Sequence, residues 1–370
     1  MDSLLTEAAE SLDIPPSRLQ DAIDKYEAVG RFLSEDPSSL AKYDPDVHPH
    51  GSLATGTCVK PIGRDEFDLD TVCLMAIPAT LSQAEAKRIV GSRFKEDKTY
   101  EDMLEEKKRC WCLNYANQFH MDVLPAKPDY AVHGSILVPD KKLSCWMPSN
   151  PRGYAEWFLI QAQRSADGQR GARLEARASV EPISAPAARA RFPLQKAVQL
   201  LKRHRDVMFQ KRPDKDRAPI SIIITTLAGR AYEGQESVLL TMKHLIARMP
   251  EFIEVDNLGR AWIRNPTRPD ENFAEKWHSE PACQQAFNEW MVQANRDVRA
   301  LEAAQGLPVI AKCAEPFLGQ RRTRMVMDAY AGRMEKARSS GLYVSKSTGL
   351  LGVAPSSGAA RVRRNTFFGD

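Results

Sequence analysis

The sequence predicts an α/β (α+β) fold organised as two domains. Apolar and polar residues alternate in strand fashion over residues 67–72 and 108–125. From Phe192 onward apolar residues recur at helical spacing instead, as in Leu194, Val198 and Leu201. A chain of 370 residues is long enough to bury two cores of ordinary size.

The first 35 residues predict two helices, punctuated by Pro15-Pro16. Residues 36–49 are rich in Asp, Pro and Ser, which is typical of a loop. Ser82 is followed three residues later by Glu85, which predicts a helix that begins with a capping box and extends to about Phe94.

Later in the first domain, Asn117-Gln118 lies between two strand-like runs and predicts a turn. Residues 149–166 predict a helix entered at Pro151. The Ala-, Pro- and Arg-rich residues 167–192 predict a mobile junction. We therefore expect a first domain over residues 1–190.

The second domain is expected over residues 191–338, with further helices at 235–249, 282–304 and 320–338. Residues 251–266 predict a hairpin, and the run PISIIITT is compatible with either a strand or a buried helix. Residues 339–370 are rich in Gly, Ser and Ala and predict a flexible tail.

Two short stretches carry the pattern of a catalytic centre. In HGSLATGTCVKP, Gly51 lets the backbone approach a ligand closely, and Ser52 supplies a hydroxyl for phosphate, or alternatively caps a helix. In EFDLDTV, Asp68 and Asp70 are two apart, so a strand would place both carboxylates on one face. Paired carboxylates repel each other unless a cation lies between them, and Mg²⁺ suits that role.

A third acid, Asp122, lies inside the apolar run HMDVLP. A lone Asp in a buried strand is costly unless it is paired or metal-bound. Three carboxylates on neighbouring strands can hold two metal ions that stabilise the attacking and leaving oxygens of a phosphoryl transfer. The alternative for Asp68 and Asp70 is a solvent-facing strand edge.

Composition narrows the class of protein. The net charge of +4 is too small to indicate a nucleic-acid-binding protein but is compatible with a basic nucleotide cleft. Seven cysteines without a regular spacing are typical of reduced thiols, and Cys110 and Cys112 are better explained as core residues than as metal ligands. The sequence shows no secretory signal and no apolar run of membrane-spanning length, so we expect a soluble, cytoplasmic protein.

These motifs carry a family resemblance. Gly51-Ser52, Asp68-x-Asp70 and Asp122 resemble the signature of polymerase-β-like nucleotidyltransferases, and the longer strings GSLATGTCVKP and EFDLDTV resemble its CD-NTase branch. The resemblance implies a bilobal enzyme in which a mixed sheet carries the three acids. A helical lobe similar to that of oligoadenylate synthases would close the nucleotide cleft, and PISIIITT would be a helix.

The resemblance also implies roles for particular residues. Asp68, Asp70 and Asp122 would bind two Mg²⁺ ions, with Mn²⁺ as an alternative, and Asp122 would take up the acceptor hydroxyl's proton. Lys202, in LQKAVQLLKRHRD, and Ser221 would contact the triphosphate. For Lys202 the alternative is a solvated basic helix face.

Residues 265–273, NPTRPDENF, resemble a string in the helical half of the family. We expect it to shape a loop between the domains rather than to recognise a base. The seven histidines are not placed to form an inserted zinc finger, so double-stranded DNA is not expected as an activator.

The implied reaction joins nucleoside triphosphates, ATP and perhaps GTP, without a template and releases pyrophosphate. Its product would be an adenine-containing cyclic di- or trinucleotide, with a preference for the trinucleotide, that acts as a second messenger in bacterial anti-phage defence (CBASS) and binds a separate effector. An E1/E2-like ligase acting on the C-terminus, or a HORMA-domain regulator, would be a partner; Asp370 after Gly369 departs from a terminal-glycine substrate.

Three alternatives remain at this point. A linear oligoadenylate synthase would share the motifs, as would an RNA-directed nucleotidyltransferase of the tRNA type. The latter is expected to show a broader basic surface. A catalytically dead nucleotide-binding regulator, or an antitoxin-like partner protein, would not need all three acids.

Overall fold

The computed structural model describes residues 1–35, 38–63, 66–116, 118–132, 134–140, 142, 144–164 and 191–339, with three short strands beyond residue 342. Most of the predicted junction between the domains, residues 165–190, lies outside the described residues, as does Asn117 of the predicted turn.

The first lobe is built around a seven-stranded mixed sheet. Five strands run in the order β1-β2-β5-β4-β3, and β6 pairs with both β5 and β7. Strands β2 and β5 are parallel, whereas the other pairs are antiparallel. The strands are β1 (Asp46–Pro49), β2 (Phe67–Leu74), β3 (Leu104–Glu106), β4 (Trp111–Tyr115), β5 (Phe119–Pro128), β6 (Ile136–Pro139) and β7 (Trp146–Ser149).

Six helices precede or cover this sheet. They are α1 (Asp2–Glu10), α2 (Pro16–Ser34), α3 (Gly51–Ala54), α4 (Gln83–Phe94), α5 (Lys98–Met103) and α6 (Pro151–Ala162). The predicted capping box is confirmed, because the Ser82 hydroxyl accepts from the Glu85 amide and the Glu85 carboxylate accepts from the Ser82 amide. Pro151 occupies the first turn of α6, as predicted.

The prediction of a loop over residues 36–49 was wrong in part. It contains a 3₁₀ turn, Ala41–Tyr43, and the edge strand β1, which pairs with β2 from Asp46↔Leu74 to Pro49↔Thr71. Strand β1 is only four residues long, and its pairing with β2 overrides a sequence that contains Asp and Pro.

The second lobe is mainly helical. Its helices are α7 (Pro193–Phe209), α8 (Ser221–Ala231), α9 (Val238–Arg248), α10 (Glu275–Ser279), α11 (Pro281–Ala303), α12 (Leu307–Leu318) and α13 (Gln320–Ser339). Its short strands are β8 (Glu254–Val255), β9 (Ala261–Trp262), β10 (Arg264–Asn265) and β11 (Arg268–Asn272). Strands β8 and β9 form the predicted hairpin.

Two helices of the second lobe test the sequence interpretation. The run PISIIITT forms α8, and the side chains from Ile223 to Gly229 are all buried. Burial on all sides explains why its β-branched residues gave no helical period. Helix α12 was not predicted, because Pro316 interrupts its pattern and it lies between Gly306 and Gly319.

The tail was predicted to lack regular structure, and this was wrong over eight residues. Strands β12 (Tyr343–Ser345), β13 (Leu351–Gly352) and β14 (Ala359–Arg361) form an antiparallel sheet in the order β13-β12-β14. The other tail residues, including Phe367-Phe368 and Gly369, lie outside the described residues.

Two large hydrophobic clusters divide the molecule. One lies between the main sheet and helices α2 and α4, with Val29, Phe94 and Met121 at its centre. The other fills the helical lobe, but it also takes in α1 and part of α6, including Leu5 and Phe158. No helix within the described residues has the length and apolar character needed to cross a membrane.

Candidate active site

The three predicted acids meet on two adjacent strands. Because β2 and β5 are parallel neighbours, Asp70 lies directly opposite Asp122, and Asp68 lies opposite His120. Asp68 and Asp70 alternate with the buried residues Phe67 and Leu69, so the apolar side chains enter the core and the carboxylates leave it. The structure therefore brings together three acids that are separated by 54 residues of sequence.

The electrostatics of this group reflect crowding of like charges. Burial, followed by the charges of Asp70 and Asp122, raises the pKa of Asp68 above its ordinary value. His120 lies beside this acid, with its Nδ1 3.7 Å from an Asp68 oxygen and its Nε2 2.5 Å from Glu66. A divalent cation would relieve the repulsion that these carboxylates exert on one another.

Asp122 has partners of its own that the sequence did not suggest. Lys107 donates to Asp122 Oδ1 at 2.9 Å, and the Cys110 thiol donates to Oδ2 at 3.7 Å. Burial acts to lower the pKa of Lys107, but the hydrogen bond and charge of Asp122 raise it overall. In the part of the chain that the structure describes, no three His, Cys, Asp or Glu side chains are gathered closely enough to hold a metal ion.

The loop that follows β1 brings backbone against these acids. Gly51 has a φ of +67°, and an added Cβ would lie 2.6 Å from Asp70 Oδ2. Glycine is therefore required there for both conformation and space. His50, whose pKa is lowered by burial, occupies the N-cap position of α3 without a side-chain capping bond. Ser52 lies inside this helix, so its alternative interpretation as an N-cap was wrong. The Ser52 hydroxyl instead lies 3.2 Å from the Cys58 sulfur.

Helix α7 fixes the same loop from the other lobe. Gln195 donates to the Thr55 carbonyl at 3.0 Å, and Gln199 donates to the Cys58 carbonyl at 2.7 Å. One turn further, the Lys202 ammonium donates to Thr57 Oγ1 at 2.8 Å. These positions are spaced by three or four residues, so they share one face of the helix.

Lys202 is not on a solvated basic face, which was the alternative interpretation of its helix. Its side chain is 4% exposed, and burial lowers the pKa of its ammonium to about 8. Ser221 lies at the first turn of α8, where its hydroxyl accepts a hydrogen bond from Arg205 at 3.2 Å.

A cleft of about 950 Å³ connects these features. Its walls come from both lobes, and they include six of the seven predicted site residues together with Gln210 and Lys215. Those six are Gly51, Ser52, Asp68, Asp70, Lys202 and Ser221. Asp122 lies beside Asp70 and pairs with Lys107, as described above.

Several cleft residues were missed or undervalued by the sequence analysis. Asn265, Glu271 and Phe273 belong to the string that was expected only to shape a loop, yet they line the cleft. Arg109 also lines it, and the sequence analysis did not single this residue out. The polar residues interleaved with prolines in NPTRPDENF were the one available signal.

The fold and the cleft define a nucleotidyltransferase of the polymerase-β-like class, with an acid-bearing mixed sheet facing a helical lobe. Comparison with known proteins agrees. Residues 1–161 match the model of the Second Messenger Oligonucleotide or Dinucleotide Synthetase domain. A c-di-GMP synthase of Roseivirga ehrenbergii is 32% identical over 375 residues, covering 100% of this chain and 97% of the relative.

Solved structures show the same fold. The CD-NTase CdnG of Bradyrhizobium diazoefficiens, solved in complex with GTP, superposes with a TM-score of 0.72 at 19% identity, covering 89% of this chain and 99% of that chain. CdnC of Escherichia coli MS115-1, in a complex with HORMA-deltaN, gives 0.64 at 13% identity over 86% and 96%. The chain belongs to the CD-NTase family, and it is an enzyme that makes a cyclic oligonucleotide second messenger by nucleotidyl transfer.

Proposed function

We propose that this enzyme joins two nucleoside triphosphates, at least one of them GTP, into a cyclic dinucleotide that signals in anti-phage defence. The observation that carries the catalytic part is the position of Asp122 directly opposite Asp70 across β2 and β5, next to a cleft that Asp70 and Lys202 line from the two lobes. The sequence analysis preferred a trinucleotide containing adenine. The relatives named as c-di-GMP synthase and cyclic dinucleotide synthase favour the smaller, guanine-containing product.

Asp68, Asp70 and Asp122 are the residues that would hold divalent cations. Their side chains are not gathered closely enough to do so as they stand, so binding would require them to turn toward a shared ion, with Asp122 leaving Lys107. The donor set fits a hard ion, because carboxylate oxygens are the ligands that Mg²⁺ and Mn²⁺ prefer. Burial and then the charges of Asp70 and Asp122 raise the pKa of Asp68, and a bound cation would act against the repulsion between these carboxylates. When bound, two Mg²⁺ ions would supply charge stabilisation at the reacting phosphate and its attacking hydroxyl.

The protein's own groups orient the substrates. Gly51 and Ser52 would approach the triphosphate of the donor nucleotide, and Lys202 and Ser221 would contact the same group from the helical lobe. An ammonium neutralises phosphate as a point charge. Asp122 would accept the proton of the acceptor hydroxyl as that oxygen attacks the α-phosphate. Pyrophosphate leaves, and a second transfer closes the ring.

Substitution of the acid pair tests this function. Asp68→Asn combined with Asp70→Asn should lower synthesis of cyclic product by at least about 1,000-fold, because the carboxylates carry the metal-dependent step. The melting temperature should stay the same or rise, since like charges are removed. Purified protein would be incubated with mixed labelled triphosphates and the products resolved by mass.

The control is Asp102→Asn, an exposed acid on α5, which should leave synthesis unchanged. Full activity in the Asp68/Asp70 double variant would remove these acids from the mechanism. A linear product alone from the wild-type protein would contradict ring closure and favour the oligoadenylate-synthase alternative.

Partners are proposed on narrower grounds. A HORMA-domain regulator is supported by the CdnC neighbour solved with such a protein. An E1/E2-like ligase acting through the C-terminus rests on family resemblance. Binding of each candidate to the full chain and to a chain ending at residue 354 would distinguish a tail-dependent partner from one that contacts the lobes.

A further inference from the structure

One carboxylate in the cleft is not explained by the proposed transfer step. Glu271 lies on β11, at the part of the cleft lined by Ser149 and Asn265. Its Oε2 accepts from Asn265 Nδ2 at 2.7 Å and from the Ser149 hydroxyl at 3.4 Å. Within the described residues, no donor contacts Oε1 and no cation forms an ion pair with Glu271. The carboxylate is therefore fixed on one side and open on the other.

Strands β10 and β11 form a second hairpin, which carries Glu271 and contacts the first lobe. Arg268, three residues earlier, donates to Asp129 at 2.7 Å, and their side chains are only 12% and 8% exposed. The Thr267 hydroxyl donates to the Asn150 carbonyl at 3.5 Å on the first lobe. A polar group that neighbouring contacts hold in place can discriminate between ligands, because it does not move to form hydrogen bonds with a ligand of the wrong shape.

The charge of Glu271 indicates which part of a nucleotide it would face. Burial raises the pKa of this carboxyl, with Asn265, Ser149 and Arg109 acting in the opposite sense. An anion in a cleft for triphosphates repels phosphate, so it would be unfavourable beside the phosphate chain. A buried acceptor is also costly unless donors reach it. The ligand group that fits is one that carries N–H donors.

Among the nucleobases, guanine fits best. Its N1–H and its 2-amino group point in the same direction as two adjacent donors, which matches the acceptor-only carboxylate. Adenine presents an acceptor at N1 instead, which would face the carboxylate without a shared proton. We propose that Glu271 is a specificity-determining residue that selects guanine by accepting hydrogen bonds from N1–H and the 2-amino group. This inference deepens the proposed function and rests on it.

The first test needs no variant. Inosine triphosphate differs from GTP only in lacking the 2-amino group, so the wild-type enzyme should use it with a kcat/KM lower by roughly 10- to 100-fold. The affinity for a non-hydrolysable analogue of inosine triphosphate, measured by calorimetry, should likewise be lower than the affinity for the matching GTP analogue. Equal use of GTP and inosine triphosphate would overturn the proposal.

The second test removes the charge without changing the shape. In Glu271→Gln the side-chain oxygen can still accept from Asn265, while the amide nitrogen places a donor toward the base. The variant should use GTP with a lower kcat/KM than the wild type. The ratio of kcat/KM values for GTP and inosine triphosphate should fall to about threefold or less. An unchanged ratio in a variant with a wild-type melting temperature would also overturn the proposal.

Asp270→Asn is the matched control. It removes the same charge from the neighbouring position of β11, but its side chain is exposed and pairs with Arg268 outside the cleft. It should keep the wild-type ratio. Failure of the proposed function would look different, because no cyclic product would then form from any triphosphate. Failure of this inference would leave synthesis of the cyclic product intact and would show only in the ratio of kcat/KM values for GTP and inosine triphosphate.

Discussion

At the scale of single residues, the closest approach of backbone to the acids is at Gly51. Its positive φ could be anticipated from a glycine in a polar loop, and the side-by-side placement of Asp68 and Asp70 follows from strand alternation. The ion pair between Lys107 and Asp122 could not be predicted, because it depends on how β4 packs beside β5.

Substitution of Gly51 by Ala should lower activity by about 100-fold or more. A Cβ at this position would lie 2.6 Å from Asp70 Oδ2, so the carboxylate would have to move, and displacement of a reacting group by about 1 Å costs on this order. Gly51→Ala should also be destabilised by about 1 kcal/mol through its positive φ. Turnover and urea unfolding would be measured together.

Gly63→Ala is the control, because Gly63 has a φ of +80° but no atom within 4 Å of an added Cβ. It should show the same loss of stability with little loss of activity. Equal activities of the two variants would mean that the close approach of position 51 to Asp70 does not affect catalysis.

At the scale of elements, helix α7 links the lobes through side chains that face the polar loop. Its amphipathic period was readable from Leu194, Val198 and Leu201, and family resemblance pointed to Lys202. The role of Gln195 and Gln199 was not readable, because glutamine is ordinary on a solvated helix face and only burial against backbone carbonyls sets these two apart.

The lowered pKa of Lys202 predicts a pH dependence of nucleotide binding. Its ammonium titrates at about pH 8 in the free protein, so affinity for a non-hydrolysable GTP analogue should fall by up to tenfold per pH unit above that value. Lys202→Arg stays charged and should give a flat profile between pH 7 and 9, with weaker binding at pH 7 because the two side chains differ in shape. Calorimetry at several pH values measures both.

The lowered pKa of Lys202 also makes the free energy of unfolding depend on pH. The folded pKa of Lys202 lies below the value of 10.5 in the unfolded chain, so between pH 8 and 10.5 the unfolded state binds more protons. This residue's contribution to the free energy of unfolding should therefore rise with pH across that window.

A wild-type binding affinity for the GTP analogue that stays constant up to pH 10 would contradict the assignment of Lys202 to the triphosphate.

At the scale of the whole molecule, the buried ion pair between Arg268 and Asp129 joins the hairpin of the helical lobe to the first lobe. Arg268→Met should lower the free energy of unfolding by about 3 kcal/mol, because it leaves the buried carboxylate of Asp129 without its cation. Adding Asp129→Asn should recover much of that loss. Urea unfolding of both variants would be compared with Lys98→Met.

Lys98→Met breaks an exposed pair with Asp102 and should cost less than about 0.5 kcal/mol. If Arg268→Met cost no more than this surface variant, the ion pair would have no part in holding the lobes together.

The two-lobed architecture was predictable from the change of period near Phe192, but the composition of the two cores was not. Sequence order suggested that all of the first 190 residues pack together. Whether α1 packs on the sheet or on distant helices depends on tertiary contacts that its own amphipathic pattern does not specify.

The position of α1 has a consequence for how the polypeptide is assembled. Leu4, Leu5 and Ala8 complete a core whose other members come from α6 and, for the most part, from Leu194 onward. Asp2 accepts hydrogen bonds from the first amides of α9. During translation these apolar side chains leave the ribosome almost two hundred residues before most of their final neighbours are made. The helical lobe is thus completed by a helix that is synthesised long before most of that lobe. Cutting the chain at one peptide bond between the lobes would leave the helical lobe without part of its core.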